Sequence, residues 1–408
     1  MKLANLAWHS LWARRSSALL TVMTIALSVA LLLGVEQLRL QTKQSFASTV
    51  SGTDLIVGAR SGQTQLLLYS IFHIGNATNN ISWSSYQDIA AQRNVKWTIP
   101  IALGDSHRGY RVVGTNSDFF EYYRYGRREP LSFAQGNGFE TTFEAVLGAE
   151  VARSLGYELG QEIVVAHGVA EISFNVHDQH PFEVVGILAP TGTPVDRSVM
   201  VGLDAIEAIH MPVQPDGYTA EQLEPKSITA FLMGMNSRVQ VFTQQRAINN
   251  YRAEPLLAIL PGVALQELWG VLGMAEQALL AVSVCVVLTG LLSMLAALLA
   301  SLKERRREMA ILRSVGARPY QIFLLLVLES LLLSVAGVIL GALLQYALLA
   351  ALQPFLLNQM GLYLTLGGLS NSQWQMLLAV VMVGTFSGMI PAWRAYRYSL
   401  NDGMSIRV

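Results

Sequence analysis

The chain has 408 residues, 52% of them hydrophobic and only 14% charged, and its formal net charge is +0. A soluble globular domain carries roughly 25% charged residues, so much of this surface must meet something other than water. The neutral balance excludes a nucleic-acid binder that works by electrostatic attraction, and a lone cysteine, Cys285, excludes an intramolecular disulfide.

In chain order, residues 1–16 come first. Leu3, Leu6, Ala7 and Leu11 fall at helical spacing, with Trp8 and Trp12 one turn apart, which predicts an amphipathic helix at a headgroup surface. Two readings stay open: a cytoplasmic extension of the first span, or a helix lying on the inner leaflet that fixes that span laterally. A helix needs about 20 apolar residues to cross roughly 30 Å of hydrocarbon. Residues 17–37 supply such a run. Its end, Gly34-Val35-Glu36-Gln37, has no small-x-small cleavage site, so the run is read as a retained span and not as a signal peptide.

Residues 38–270 switch to short alternating strands and amphipathic helices, predicting an α+β or mixed α/β domain. Strands are expected at 54–58, 96–103, 110–114, 162–166, 182–188, 199–203 and 228–233. Helices are expected at 84–92, 117–123, 149–155, 203–209 and 238–251. The stretch 129–211 has its own strand and helix set and is a candidate sub-domain. No Gly-x-Ser-x-Gly elbow, His-Glu-x-x-His helix or Ser-x-x-Lys pair occurs anywhere, so no catalytic residue is assigned. Without a Gly-Lys dipeptide there is also no phosphate-binding P-loop. His167, His177 and His180, with Asp178 among them, are candidate zinc ligands, because neutral imidazoles two or three residues apart can share one ion. The competing reading is a polar hairpin with solvent-facing histidines. Thr191 to Arg197 reads as a turn.

The second span is expected at 271–302, the third at 320–352 and the fourth at 374–393, with Trp374 and Trp393 at its ends and Pro391 stopping it. Lys and Arg concentrate before the first span, in the 303–319 loop and in the 394–408 tail, whereas 353–373 has none. Positive charge stays on the cytoplasmic side, so both termini are expected there and 38–270 outside. In the 303–319 loop, Met309, Leu312 and Val315 recur at helical spacing. The loop is therefore a short helix whose apolar stripe needs a partner surface, and Gly316 suits its C-terminal cap. Glu329, some two turns into the third span, should find a partner such as Arg313 or Arg318. Gly337 and Gly341, four apart, permit close helix packing.

The loop sequence RREMAILRSVGARPYQIFLLLVLES (residues 306–330) resembles the signature of the MacB/FtsX superfamily of ABC-transporter permeases. The basic N-terminal helix, the ending Gly388-Met389-Ile390-Pro391-Ala392-Trp393-Arg394-Ala395-Tyr396-Arg397, and the segments VLGAEVARSLGYELGQEI and FEVVGIL look like the family's as well. The resemblance implies a four-span membrane protein with an α+β periplasmic domain inserted between spans one and two, in the bacterial inner membrane. It implies a non-catalytic permease that pairs with a second copy, identical or paralogous, and binds a pair of ATPase subunits carrying ATP and Mg. The loop helix, with Glu304, Arg305, Arg306, Glu308, Met309, Leu312, Arg313, Val315 and Gly316, would be the coupling element. ATP hydrolysis would then move the periplasmic domain mechanically and act on a periplasmic, lipid-anchored or hydrophobic client or an adaptor. Because the chain starts at the amphipathic helix, its ATPase is expected on a separate polypeptide. Two alternatives stay open: an FtsX-like regulator of a cell-wall hydrolase, and a component of a zinc-linked envelope transport system.

Overall fold

The computed structural model describes residues 2–167, 179–212, 218–304, 306–360 and 367–397. The chain divides into a helical unit, built on the chain up to Gln41 and from Gly273 onward, and a domain built on Thr42–Leu272.

The helical unit contains Lys2–Ala13, the long helix Arg15–Thr49, Pro261–Glu304, the short helix Arg306–Ser314, Pro319–Met360 and Asn371–Arg397. Among the described residues, four of these are long and apolar enough to cross a membrane. Each turns one apolar face inward and another outward. Ile25, Val29, Leu33, Leu291, Met294, Leu333 and Val380 share a buried core, while Leu20, Leu27, Leu292, Leu343 and Phe386 lie exposed where lipid would cover them. This protein is a multi-pass membrane protein.

Three helix ends differ from the expected ones. The first span helix continues to Thr49, since no Gly or Pro interrupts the chain between Gly34 and Gly52. The second begins at Pro261, because proline is pre-shaped for the first helical position and lacks only an N–H that would be unsatisfied there. The fourth does not stop at Pro391 but runs through it to Arg397. Pro391 removes one intrahelical bond. Against that loss, Ala392 and Ala395 just beyond it are buried against Leu302, Ile322 and Leu326. Packing holds the last turn in place.

In the inserted domain, the described residues form an eleven-stranded mixed sheet. Its middle strand is Val95–His107, paired antiparallel with Ala230–Met235 on one edge and with Tyr110–Thr115 on the other. Residues 129–211 are not set apart from this sheet: Ser198–Gly202 lies parallel to Tyr110–Thr115 and so carries the ladder onward to Glu144–Leu147 and Phe182–Leu188. Period-two burial decides the layers. Ile56, Ile99, Val113, Met200 and Leu232 face one continuous core covered by helices Gln63–Ile71 and Asp118–Tyr122. Their neighbours Leu55, Val57 and Phe231 face a second core, whereas Val199 and Val201 face a third. The helix at 63–71 and the strands at 133–136, 144–147 and 256–259 were not among the expected elements.

Near the sheet, Ser198 Oγ donates to the Pro194 carbonyl (2.9 Å) and lies 3.1 Å from His73 Nδ1. Burial, aided by the nearby Arg111 guanidinium, lowers the His73 pKa to about 4. The folded state therefore holds this ring neutral, and the associated stability is complete above pH 6.5, shrinks as pH falls and is gone near pH 4. Relative to His73→Asn, which tolerates the positive φ of 55° at this position, wild type should lose on the order of 2 kcal/mol between pH 7 and pH 4.5. Chemical denaturation at the two pH values measures this difference; equal pH dependence in both proteins would refute it.

Candidate coupling site

The short helix Arg306–Ser314 is defined at both ends by its own sequence. Ala317 N–H donates to the Leu312 carbonyl (2.9 Å) and Gly316 N–H to that of Arg313 (3.0 Å), the bond pair of a Schellman cap. Gly316 has φ +102°, a region that L side chains rarely adopt. Two residues later Pro319 opens the third span helix, and the Gln321 side chain reaches back to accept from Arg318 N–H at 2.9 Å. The chain reverses in a fixed geometry.

The expected outward stripe of Met309, Leu312 and Val315 is split. Met309 and Ala310 are buried, Met309 against Leu302, Ile322, Leu326, Ala392 and Ala395. A nine-residue helix is too short to stand alone, so its first apolar residues anchor it to the bundle. Leu312 is half-buried, and Arg313 Nη2 donates to the Tyr396 carbonyl at 3.0 Å. What remains outward is Ile311 (56% exposed) and Val315 (82% exposed). Ile311 had no place in the expected stripe. Glu308 is exposed, 3.9 Å from Arg14. Glu304 ends the second span helix and Arg306 begins the short one, but their side chains, and Arg305 altogether, lie outside the described residues.

Glu329 is only 2% exposed. It lines a cavity of about 30 Å³ together with Arg14, Ser10, Ser17, Thr21 and Ser301. The cation at this cavity is Arg14, not the expected Arg313 or Arg318. The reason lies in the N-terminal helix, which buries Ala7 and packs Leu11 on the bundle core, so that Arg14 follows inward while Trp8 and Trp12 stay exposed, stacked at 6.4 Å. Gly337 and Gly341 do mark a close approach. A Cβ built on Gly337 would sit 2.6 Å from Ile25 Cγ2, and one on Gly341 2.7 Å from the Ala26 carbonyl oxygen. A second pair was missed: Gly384 and Gly388 of the fourth span face Ser334 and Ser330 of the third. Their four-residue spacing was the available signal.

At the other end of the bundle, Glu36 is 1% exposed. It accepts from Arg39 Nη1 (3.1 Å) and Ser372 Oγ (3.0 Å), while Arg39 Nε donates to Glu276 (3.0 Å). Gln373 Nε2 donates to Gln37 Oε1 at 2.9 Å beside them. These bonds join the first, second and fourth span helices.

Of the candidate zinc ligands, His177 lies outside the described residues, as does the His167 side chain; the His167 backbone pairs with Asp105. His180 is buried, stacked on Phe143 and hydrogen-bonded through Nε2 to the Tyr218 hydroxyl at 2.7 Å. Among the described residues, no three His, Cys, Asp or Glu side chains are grouped to hold a metal. Thr191 to Arg197 does form a turn. Asp196 accepts from Thr191 N–H (2.8 Å) and Gly192 N–H (2.7 Å), and burial raises its pKa against these bonds.

The sequence model of the MacB-like periplasmic core domain matches residues 18–240, and that of the FtsX-like permease C-terminal region matches residues 280–400. Two solved structures are similar. One is the periplasmic region of MacB from Actinobacillus actinomycetemcomitans, 12% identical at TM-score 0.35, covering 54% of this chain and 94% of that one. The other is the extracellular domain of the noncanonic ABC-type transporter YknZ from Gram-positive bacteria, 14% identical at TM-score 0.32, covering 51% of this chain and 99% of that one. No curated protein matches the chain.

Proposed function

The chain belongs to the MacB/FtsX-type ABC-transporter permeases, and from that premise we propose that it couples ATP hydrolysis by an ATPase outside these 408 residues to movement of its inserted domain. The observation that carries the reading is the pair Ile311 and Val315. They project from a helix that Met309 and Ala310 fix to the ends of three spans, in the segment richest in arginine. An apolar pair held rigidly in such a setting suits a groove on a partner, and a push on it would reach the spans directly.

In this reading the loop and both termini are cytoplasmic, the membrane is the bacterial inner membrane, and a second permease copy completes the transporter. The inserted domain acts in the periplasm on the export or extraction of a lipid-anchored or hydrophobic client. The spans contribute stiffness and no substrate channel.

The test is recruitment of the ATPase that co-purifies with the wild-type chain from native membranes. Ile311→Asp with Val315→Asp is expected to lower recovery of that ATPase by tenfold or more, roughly the loss of 1.4 kcal/mol or more of binding, while the permease remains folded. Met309→Asp is the wrong probe, since it would disrupt packing. Undiminished recovery with the double variant would rule out this docking face.

A further inference from the structure

The inserted domain contains a cavity that the coupling argument does not use. Its origin is architectural. One face of the sheet carries a single continuous core, whereas the opposite face carries two separate ones. The first of these two packs residues of helices Trp83–Ala90 and Val241–Asn249, the second packs Val151 and Ala152 of Ala149–Leu155 and Ala205 of Leu203–Ala208. Between the two helical layers the middle strand is left uncovered at Ala102 and Gly104, which have too little side chain to fill the gap. The result is a cavity of about 250 Å³.

Its walls are polar and held in place. Glu207 Oε1 accepts from Lys226 N–H (3.2 Å), and Thr229 Oγ1 accepts from Leu103 N–H (2.9 Å). His210 Nδ1 bonds to the Ile206 carbonyl, and Asn80 and Ser227 complete the hydroxyl and amide lining. Asp105, 4% exposed, brings a second carboxylate where the ladder register shifts between Leu103 and Ser106. No lysine or arginine lines the cavity among the described residues.

Two carboxylates with no lining cation, beside hydroxyl and amide oxygens, form an acceptor-rich site. A bare metal ion is a poor match, because no metal-holding group of side chains is present among the described residues and the volume far exceeds one ion. An ammonium supplies three donors, and Leu103 and Ile206 offer apolar surface for an attached alkyl stem. We propose that this cavity binds a primary alkylammonium group, from either a free aliphatic amine or a lysine side chain. The proposal stands independently of ATPase docking.

Titration calorimetry on the full chain in detergent tests it, with 1,5-diaminopentane as probe and 1,5-pentanediol as its uncharged counterpart. Saturable one-site binding of the diamine is expected, and none of the diol. Glu207→Gln keeps an acceptor for the Lys226 N–H but removes the charge, and should weaken the diamine by roughly tenfold, the scale of one charge-assisted bond. Asp105→Asn is the second variant; because Asp105 is buried, Glu207→Gln with an unchanged melting temperature decides the case. Nα-acetyl-lysine amide separates the sources: binding of both probes supports a lysine side chain, binding of the diamine alone a free amine. Equal binding of the diol, no saturable binding, or full affinity in Glu207→Gln overturns the proposal.

Discussion

Gly388→Leu is expected to prevent assembly of the helical unit, with loss of a cooperative melting transition in detergent. Gly388 is buried where the fourth span crosses the third, and even a Cβ there would overlap the Ser330 side chain, itself fully buried. One turn earlier, Gly384 meets Ser334 in the same way. Neither serine can move aside, because Ser330 Oγ donates to the Val327 carbonyl at 2.8 Å and Ser334 is held against Met294. Adding single methylenes to a packed core typically costs about 1–3 kcal/mol, and leucine adds four carbons at once. Gly388→Ala should show a graded fall in melting temperature. A leucine variant that melts with wild type would mean that the two spans do not pack through these glycines.

Arg39→Ala should be nearly as damaging, at about 3 kcal/mol. It strips the cation from Glu36 and Glu276 while leaving Glu36 buried with Ser372 as its remaining hydrogen-bond donor in the described network. The cost comes from the orphaned carboxylate more than from the lost attraction. Glu36→Gln together with Arg39→Ala should therefore be more stable than Arg39→Ala alone, a reversal that denaturant unfolding of the two proteins can read. Additive losses in the double variant would show that the pair is not coupled.

The membrane plan was legible because lipid imposes a one-dimensional rule: apolar length and Lys/Arg placement read directly from the chain. Gly316, Gly337 and Gly341 were legible for a related reason, since a helix cap and a close helix crossing each need an absent side chain. The Met309-Leu312-Val315 stripe was only half legible. Spacing shows that one face of the helix is apolar, yet cannot say which of its residues the bundle covers and which a partner would meet. Glu329 was assigned to the wrong arginines because Arg313 and Arg318 are nearer in sequence, whereas Arg14 arrives through the packing of Ala7 and Leu11.

What the sequence by itself determined was therefore the number of spans, the insertion of a mixed α/β domain between the first and second, and the short capped helix between the second and third. Each follows from local quantities: apolar length, strand or helix period, and glycine at a left-handed position. Only the tertiary structure decided that Met309 is an anchor and Ile311 an outward residue, that the 129–211 stretch shares one sheet with its flanks, and that the uncovered middle of that sheet encloses Asp105 and Glu207 in a cavity. Burial depends on which surfaces meet, and residues far apart in the chain supply those surfaces.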